Sequence, residues 1–234
     1  MAKNRVSQGN LLLAALPVGD RMRLTGDHPP VDLAFSEELS QPGKSIRHVY
    51  FPIDGFISLI TPGVDRAQLE IGLVGNEGML GVPLLLGVDM SPLRALVQGA
   101  GHAWRVDADT FKLEIENNPA TRAALNRYLY VFLAQLMQTA TCTRFHLVEA
   151  RLARWLLMTH DRTHANEFHL THETLARMLG VRRVGVTKGA GLLQKHKLIS
   201  YRRGDIKILD RAGLEAVSCG CYRAVKDTHK HILG

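Results

Sequence analysis

The segment Glu173–Lys195, ETLARMLGVRRVGVTKGAGLLQK, constrains the fold of this chain more than any other. It holds two short stretches with the apolar spacing of helices, separated by one glycine. Two helices that cross through a short turn need a small residue where they touch and a glycine at the bend. Ala176 and Gly180 meet these needs, and Thr171 is a suitable cap for the first helix. The segment therefore predicts a helix-turn-helix, and four apolar residues are expected to face its core: Leu175, Leu179, Val181 and Val186.

The start of the second helix is the part of such a motif that enters the major groove of DNA. Arginine can donate two hydrogen bonds to guanine, and threonine or valine can pack on a thymine methyl group. The predicted base-contacting residues are Arg182, Arg183, Val184, Thr187 and Lys188. The residues predicted to flank the groove and contact phosphates are Thr171, His172, Arg202, Arg203 and Lys207.

Charge is distributed unevenly along the 234 residues. Residues 1–145 contain 13 basic and 14 acidic side chains, a net charge of −1, whereas residues 146–234 contain 16 basic and 8 acidic ones, a net charge of +8. Ten of those 16 are arginines. A neutral half joined to a basic half indicates an anionic polymer as the partner of the C-terminal half. A basic face that is only solvated remains the alternative.

The neighbouring segments extend the motif. Residues 148–162, VEARLARWLLMTHDR, are predicted to form a helix before it. Residues 198–209, LISYRRGDIKIL, predict a two-stranded hairpin with its turn at Arg203–Gly204–Asp205. This order predicts a winged helix-turn-helix. Three glycines in the second helix, Gly185, Gly189 and Gly191, leave a second interpretation open, in which the motif is a protein–protein module attached to a ligand, metal or redox sensor.

The N-terminal half has a different pattern. Short apolar stretches with recurrent turn residues between Val31 and Val106 predict a β-barrel or jelly roll. A helix is then expected to start at Asn118–Pro119 and to continue for about 27 residues, or about 40 Å. Its apolar face is predicted to pack against the same helix of a second copy, with packing on its own roll as the alternative. This dimerisation face comprises Leu125, Leu129, Phe132, Leu133, Leu136 and Ala140.

The predicted fold is therefore α+β. It has a β-roll sensor domain at residues 1–117, a long dimerisation helix and hinge at 118–147, and a winged helix-turn-helix DNA-binding domain at 148–234. This arrangement resembles the Crp/Fnr superfamily of bacterial transcription regulators. The resemblance is most specific in residues 175–222, LARMLGVRR to CGCY, and extends to VYFPIDGFISLI and GNEGMLG in the N-terminal half.

The resemblance implies a cytoplasmic homodimer on a palindromic double-stranded DNA site, allosteric control through a cyclic-nucleotide-binding-like roll, and contact with RNA polymerase if the protein is an activator. The cyclic-AMP receptor uses a Gly-Glu pair and an Arg-Ser pair to bind its ligand. Here Gly81 is followed by Val82, and Arg94 by Ala95. The resemblance places the effector pocket at these four residues. The substitutions argue against cyclic AMP and favour a surface or structural role for Arg94 over an anion ligand, so the signal stays unassigned.

Other functional classes receive no support from the sequence. No phosphate-binding Gly-Lys loop, nucleophile elbow or HExxH pair predicts an enzyme. No apolar run approaches the roughly 18 residues of a transmembrane helix, and the run Leu11 to Leu16 falls short of the roughly 7–15 residues of a signal peptide core. That run is expected to form a first helix that ends at Pro17 and Gly19.

Three cysteines do not predict a disulfide framework, which fits a reducing, cytoplasmic compartment. Cys219 and Cys221 with His229 and His231 match no common zinc module, so neither a metal nor another cofactor is predicted. Cys142 on the long helix is expected to be a buried apolar residue, with a redox switch as the alternative.

Overall fold

The protein is described from a computed structural model that covers residues 9–26, 28–63, 68–163 and 165–234. The chain divides into two compact units, one of Met1–Leu59, Leu73–Tyr130 and Leu233, the other of Ile60–Gly72, Val131–Ile232 and Gly234. The three-part division at residues 117 and 147 stays a prediction.

The elements of the N-terminal half are α1 (Leu11–Ala14), α2 (Val18–Thr25), β1 (Val31–Leu33), β2 (Glu38–Ser40), β3 (His48–Pro52), β4 (Phe56–Pro62), β5 (Gln68–Val74), a 3-10 helix (Val82–Leu86), β6 (Arg94–Gly99), β7 (Gly101–Asp107), α3 (Ala108–Asn117) and α4 (Pro119–Phe145).

The strands of the N-terminal half form two sheets, with strand orders β1-β7-β3 and β2-β6-β4-β5. In the first sheet β3 runs antiparallel to β7, so that Val49 pairs with Val106 and Phe51 with Trp104. Val49 and Phe51 are fully buried. The sheet-rich N-terminal half is therefore confirmed, although the strand pairing among the described residues does not close a barrel.

The first helix of the chain differs from its prediction. α1 ends at Ala14, and Asn10 caps it by accepting a hydrogen bond from the Leu13 N–H at 2.9 Å. Pro17 then precedes the first residue of a second helix, α2, and Gly19 lies inside that helix. The expectation that Pro17 and Gly19 end the first helix is wrong, because α1 ends before both of them and they belong to the start of α2. The fixed φ of proline also suits the position just before a helix starts.

The long helix α4 is confirmed at both ends, from Pro119 to Phe145. The Asn118 side chain accepts a hydrogen bond from the Thr121 N–H at 3.3 Å, which satisfies one of the unpaired donors of the first turn. Proline at the first helical position loses no hydrogen bond there. These two residues together explain why a new helix starts directly after α3.

The C-terminal elements belong to the second unit. The predicted helix at residues 148–162, the two helices of the motif and the hairpin are all present. A three-residue strand that pairs with the hairpin was not predicted. These elements are α5 (Val148–Thr163), β8 (Glu167–His169), α6 (His172–Leu179), α7 (Arg183–Lys195), β9 (Ile199–Arg202), β10 (Asp205–Ile208), α8 (Arg211–Val217) and α9 (Cys221–Leu233).

Helix α5 is the central element of the second unit and contacts α6, α7 and α8. Leu152, Leu156 and Leu157 on α5 are fully buried. The end of the β4–β5 hairpin belongs to the same unit, where the Trp155 indole N–H donates to Glu70 Oε1 at 2.6 Å. Across the described part of the chain, no helix combines the length and the apolar character needed to cross a membrane.

Candidate nucleic-acid interface

The turn between α6 and α7 has the geometry that the sequence predicts. Thr171 caps α6 by accepting a hydrogen bond from the Thr174 N–H at 3.1 Å. Gly180 ends the helix in the left-handed region, with φ of 61°, which glycine adopts without steric strain. The Val181 N–H then bonds to the carbonyl of Ala176 at 2.9 Å, so the chain reverses within three residues. Residue types at Thr171 and Gly180 thus fix where α7 begins.

One face of α7 is fixed by packing. Val186, Ala190 and Leu193 recur at spacings of four and three and are all buried. Gly189 lies beside them, and a Cβ at this position would approach the Cα of Glu149 on α5 to 3.3 Å. The absence of a side chain therefore lets α7 lie close to α5, which explains one of the glycines that the sequence left without a role. Because this face points inward, the opposite face must point to solvent.

The exposed face of α7 contains the predicted base-contacting residues. All five side chains lie exposed at the start of the helix. Among the described residues, Arg182, Arg183 and Lys188 make no ion pair. Thr187 Oγ1 donates to the carbonyl of Arg183 at 3.2 Å and lies 3.0 Å from His172 Nδ1. The arginines are thus free for an external anion, whereas Thr187 is already hydrogen-bonded.

His172 occupies a junction of three elements. Its ring stacks on Tyr201 of β9, with 4.4 Å between centroids and 18° between planes. The Tyr201 hydroxyl donates to the carbonyl of Leu170 at 2.9 Å, which fixes the wing against the start of α6. Partial burial, with a smaller contribution from the charge of Arg183, lowers the pKa of His172. The structure thus gives His172 a positioning role between α6, α7 and the wing, and its contact with phosphate stays a prediction.

The wing is a three-stranded antiparallel sheet of order β8-β10-β9. Its tip is the two-residue turn Arg203–Gly204, in which both residues have positive φ, 53° and 97°. Such turns match the twist of a hairpin. The strand β8 was missed because an alternation over only three residues does not separate a strand from a loop.

The wing cations differ in their surroundings. Arg202 and Arg203 are exposed and form no ion pair among the residues that the structure describes. Lys207 Nζ, in contrast, lies 2.6 Å from Glu167 Oε1 on β8. The Glu167 carboxylate partly neutralises the charge that Lys207 would offer to a phosphate. Of the predicted phosphate contacts on the wing, the two arginines are therefore the better placed.

The predicted effector residues lie in the first unit. Gly81 has φ of 112° and precedes the 3-10 helix that begins at Val82, which is buried. Arg94 Nη2 pairs with Glu38 Oε2 at 3.2 Å, and Ala95 is fully buried. An arginine paired with a carboxylate is less available to bind a phosphate. This geometry agrees with the absence of the Arg-Ser pair, while the assignment of the pocket stays a prediction.

The predicted dimerisation residues on α4 fall into two groups. Leu125 and Phe132 are buried within the protomer, and Leu129 and Leu136 are half-buried. Leu133 is 48% exposed. Ala140 is also exposed. Periodicity alone could not separate these groups, because the helix has apolar residues on more than one side.

Comparisons with known proteins agree with this geometry. Residues 150–217 match the Crp-like helix-turn-helix domain family. No curated protein sequence matches the chain. Among solved structures, a Crp/Fnr-family transcriptional regulator from Eubacterium rectale is 17% identical with a TM-score of 0.70, over 88% of this chain and 96% of its own.

Two further structures show the same fold. The c-di-GMP responsive global regulator CLP of Xanthomonas campestris is 18% identical, with a TM-score of 0.67 over 82% of this chain and 99% of its own. A CRP/FNR-family transcriptional regulator from Thermus thermophilus is 21% identical, with a TM-score of 0.67 over 81% of this chain and 98% of its own. Residues 150–217 form a Crp-like helix-turn-helix domain, in a chain with the fold of the Crp/Fnr transcription regulators.

Proposed function

We propose that the protein is a sequence-specific DNA-binding transcription regulator that acts as a homodimer on a palindromic site. The exposed, unpaired arginines at the start of α7 are the observation that supports this function most directly. They lie at the N-terminal end of a helix whose position is fixed by its packing on α5 and by the cap of α6 at Thr171. A helix presented in this way fits the major groove.

The residues of the interface have separate roles in this proposal. Arg182 and Arg183 donate to guanine, and Val184 packs on a thymine methyl group. Lys188 and the wing arginines neutralise phosphates, which adds affinity without reading sequence. Thr187 and His172 keep α6, α7 and the wing in register through their mutual contact, in addition to any contact with DNA.

The dimer interface that we propose is the exposed face of α4. Leu133 and Met137 are 48% and 61% exposed, and Ala140 follows three residues later on the same face. An exposed apolar stripe on a long helix is typical of a surface that another helix covers. Leu125 and Phe132 belong to the protomer core and support this helix from behind. Replacing Met137 with Glu should produce monomers, which light scattering after gel filtration would detect.

Control by a signal in the N-terminal half is the finer part of the proposal. The contact between Glu70 of the β4–β5 hairpin and Trp155 of α5 links that hairpin to the helices that present α7. A signal that moves the hairpin would shift the spacing of the two α7 helices, which must lie about 34 Å apart on B-DNA. The pairing of Arg94 with Glu38 argues against cyclic AMP as this signal. Contact with RNA polymerase, if the protein is an activator, rests on the resemblance alone.

Selection of bound duplexes from a random pool, followed by fluorescence anisotropy of the winning sequence, tests the DNA function. A palindromic winner is expected, with an affinity that falls steeply as salt rises. Arg183→Ala should cost about 1–3 kcal/mol in binding and relax specificity at one position of each half-site.

Arg122→Ala is the matched control, because Arg122 is exposed on α4 and its loss changes the net charge equally. Equal weakening by both variants would mean that only net charge matters. No binding at low salt by the wild-type protein, with or without candidate effectors, would favour a protein–protein module instead.

A further inference from the structure

All three cysteines of the chain converge on one histidine in the second unit. Cys142, Cys219 and Cys221 are buried and free, and His146 is half-buried beside them. The Sγ atoms of Cys142 and Cys219 are 3.4 Å apart, and Cys221 Sγ is 3.5 Å from His146 Nδ1. All four ligand atoms lie within 4.8 Å of one another. We call these four residues the Cys3His cluster.

Two short segments that are distant in sequence form the cluster. Cys142 lies in the last turn of α4, and His146 follows four residues later, with its N–H bonded to the carbonyl of Cys142 at 3.2 Å. The other pair flanks Gly220 at the start of α9, where the Tyr222 N–H bonds to the carbonyl of Cys219 at 3.1 Å. Each pair is therefore held by local backbone hydrogen bonds before any ion binds.

We propose that the Cys3His cluster is a structural binding site for a single divalent ion of the zinc type. Three thiolates and one imidazole are a common ligand set of closed zinc sites. With metal–sulfur bonds of about 2.3 Å, the edges of a tetrahedron of ligands are about 3.8 Å long. The separations of 3.4 and 3.5 Å lie close to this length, so small side-chain movements suffice to enclose an ion.

The ligand chemistry selects the class of ion. Thiolates favour zinc and other soft or borderline ions, whereas magnesium and calcium require oxygen ligands. With neutral imidazole, three thiolates and a divalent cation carry a net charge of −1. Arg154 is 8% exposed, makes no ion pair among the described residues, and has an Nε–H without a hydrogen-bond partner there. Its Nη2 donates to Thr139 Oγ1 at 3.3 Å, three residues before Cys142 on α4, so this buried cation can balance part of the negative charge of the loaded site.

The cluster also has a hydrogen-bond donor outside the four ligands. The Gln138 side-chain N–H donates to Cys221 Sγ at 2.9 Å, from one turn earlier on α4. Hydrogen bonds to a ligating sulfur orient it and stabilise its negative charge. A site for packing alone would not need a polar side chain directed at a thiol.

An ion at this position would join the end of α4 to the start of α9. Helix α5 begins at Val148, two residues after His146, and packs against α7. Loss of the ion is therefore expected to loosen the connection between α4 and α5. This connection determines the position of α5, and α7 packs on α5. This effect on DNA binding rests on the proposed function, whereas the metal site itself does not.

Metal analysis of the full-length protein, purified without chelators or a metal-affinity tag, tests the site. One equivalent of zinc per chain is expected. His146→Ala and Cys142→Ser should lower the zinc affinity by more than about 100-fold, since even residues that only support ligands cost 10–100-fold when removed. His231→Ala is the control, because His231 is an exposed histidine on α9 that lies outside the cluster and should leave zinc binding unchanged.

A spectroscopic measurement on the wild-type protein guards against variants that fail to fold. After removal of zinc, titration with Co²⁺ should give intense visible d–d bands and near-ultraviolet thiolate charge transfer, both saturating at one equivalent. Wild-type protein that neither contains nor takes up an ion when reduced would overturn the proposal. Zinc that persists in both ligand variants would show that the site lies elsewhere. Iron together with acid-labile sulfide in the purified protein would show that an iron–sulfur centre, and not a single ion, is bound.

DNA binding separates this inference from the proposed function. Arg183→Ala should retain zinc and lose DNA affinity, while zinc-free wild-type protein should lose DNA affinity and recover it when zinc is restored. A protein that binds zinc as described but no DNA would leave the metal site standing and contradict the proposed function.

Discussion

The inward residues of α7, Val186, Ala190 and Leu193, are buried where the helix packs on α5. The outward residues Arg183, in the first turn, and Lys188 are exposed and unpaired. The inward residues gain free energy from leaving water. The outward residues gain almost nothing in the free protein, because exposed charges without partners contribute little to folding. Stability and the proposed DNA binding therefore depend on different residues of one helix, and substitutions should separate them.

The largest effect is expected on the inward face. Leu193→Ala removes a buried side chain at the wing end of α7 and should lower the free energy of unfolding by about 2–5 kcal/mol, as for other buried leucines. Urea denaturation followed by circular dichroism measures this change. The folded fraction should bind DNA as the wild type does, whereas Arg183→Ala should leave the urea midpoint unchanged. Loss of DNA affinity by fully folded Leu193→Ala would show that the two faces are coupled.

The helices of this domain could be predicted because their signals are local. The cap at Thr171, the bend at Gly180 and the burial of Val186 follow from residue type and spacing within a few positions. The exposure of Lys188, two residues after Val186, then follows from the helical period, whereas Arg183 is exposed because it is the first residue of the helix. Local periodicity does not, however, say which apolar side of α4 faces its own protomer, which is why Leu125 and Leu133 were grouped together.

The rest of the site depends on contacts between distant residues. Lys207 pairs with Glu167 across 40 positions, and β8, which supplies that glutamate, has no sequence signal of its own. Cys142 meets Cys219 across 77 positions. The sequence grouped Cys219 and Cys221 with His229 and His231, whereas the structure places Cys142 and His146 beside them. The available signal was the spacing of four between Cys142, in the last turn of the long helix, and His146, just after its end.

A smaller effect should distinguish two glycines on opposite faces of α7. At Gly189 an added Cβ would meet the Glu149 Cα at 3.3 Å, and because a helix backbone yields little, Gly189→Ala should cost about 1–3 kcal/mol. At Gly191 nothing lies within 4 Å, and Gly191→Ala should stabilise the helix by up to about 1 kcal/mol. Thermal unfolding of both variants measures the difference. Changes of the same sign would mean that helix propensity alone decides at both positions.

The wing offers a matched pair with a smaller effect on binding. Arg202→Ala removes an unpaired cation and should reduce the slope of log affinity against log salt by about 1, as for one phosphate contact. Lys207→Ala removes a cation that Glu167 already neutralises in part, so its slope should change less. Anisotropy titrations at several salt concentrations provide both slopes. A larger change for Lys207→Ala would show that DNA displaces Glu167 and that the ion pair of the free protein is not retained.

The smallest effect concerns how stability depends on pH through His172, at the junction of α6, α7 and the wing. Burial, and then the charge of Arg183, lowers the pKa of His172, so the unfolded chain takes up a proton before the folded one as pH falls. The contribution of neutral His172 to stability is therefore fully present above about pH 6.5 and is lost as pH falls through the lowered pKa.

His172→Gln keeps a hydrogen-bonding group near Thr187 but cannot titrate. The difference in unfolding free energy between wild type and His172→Gln should shrink from about pH 7.5 to about pH 5.5. Because both proteins contain the other histidines, their contributions cancel in this difference, including that of His48, whose pKa is also lowered by burial. A difference that is constant over this range would mean that the pKa of His172 is the same in the folded and the unfolded state, and would contradict the lowered pKa.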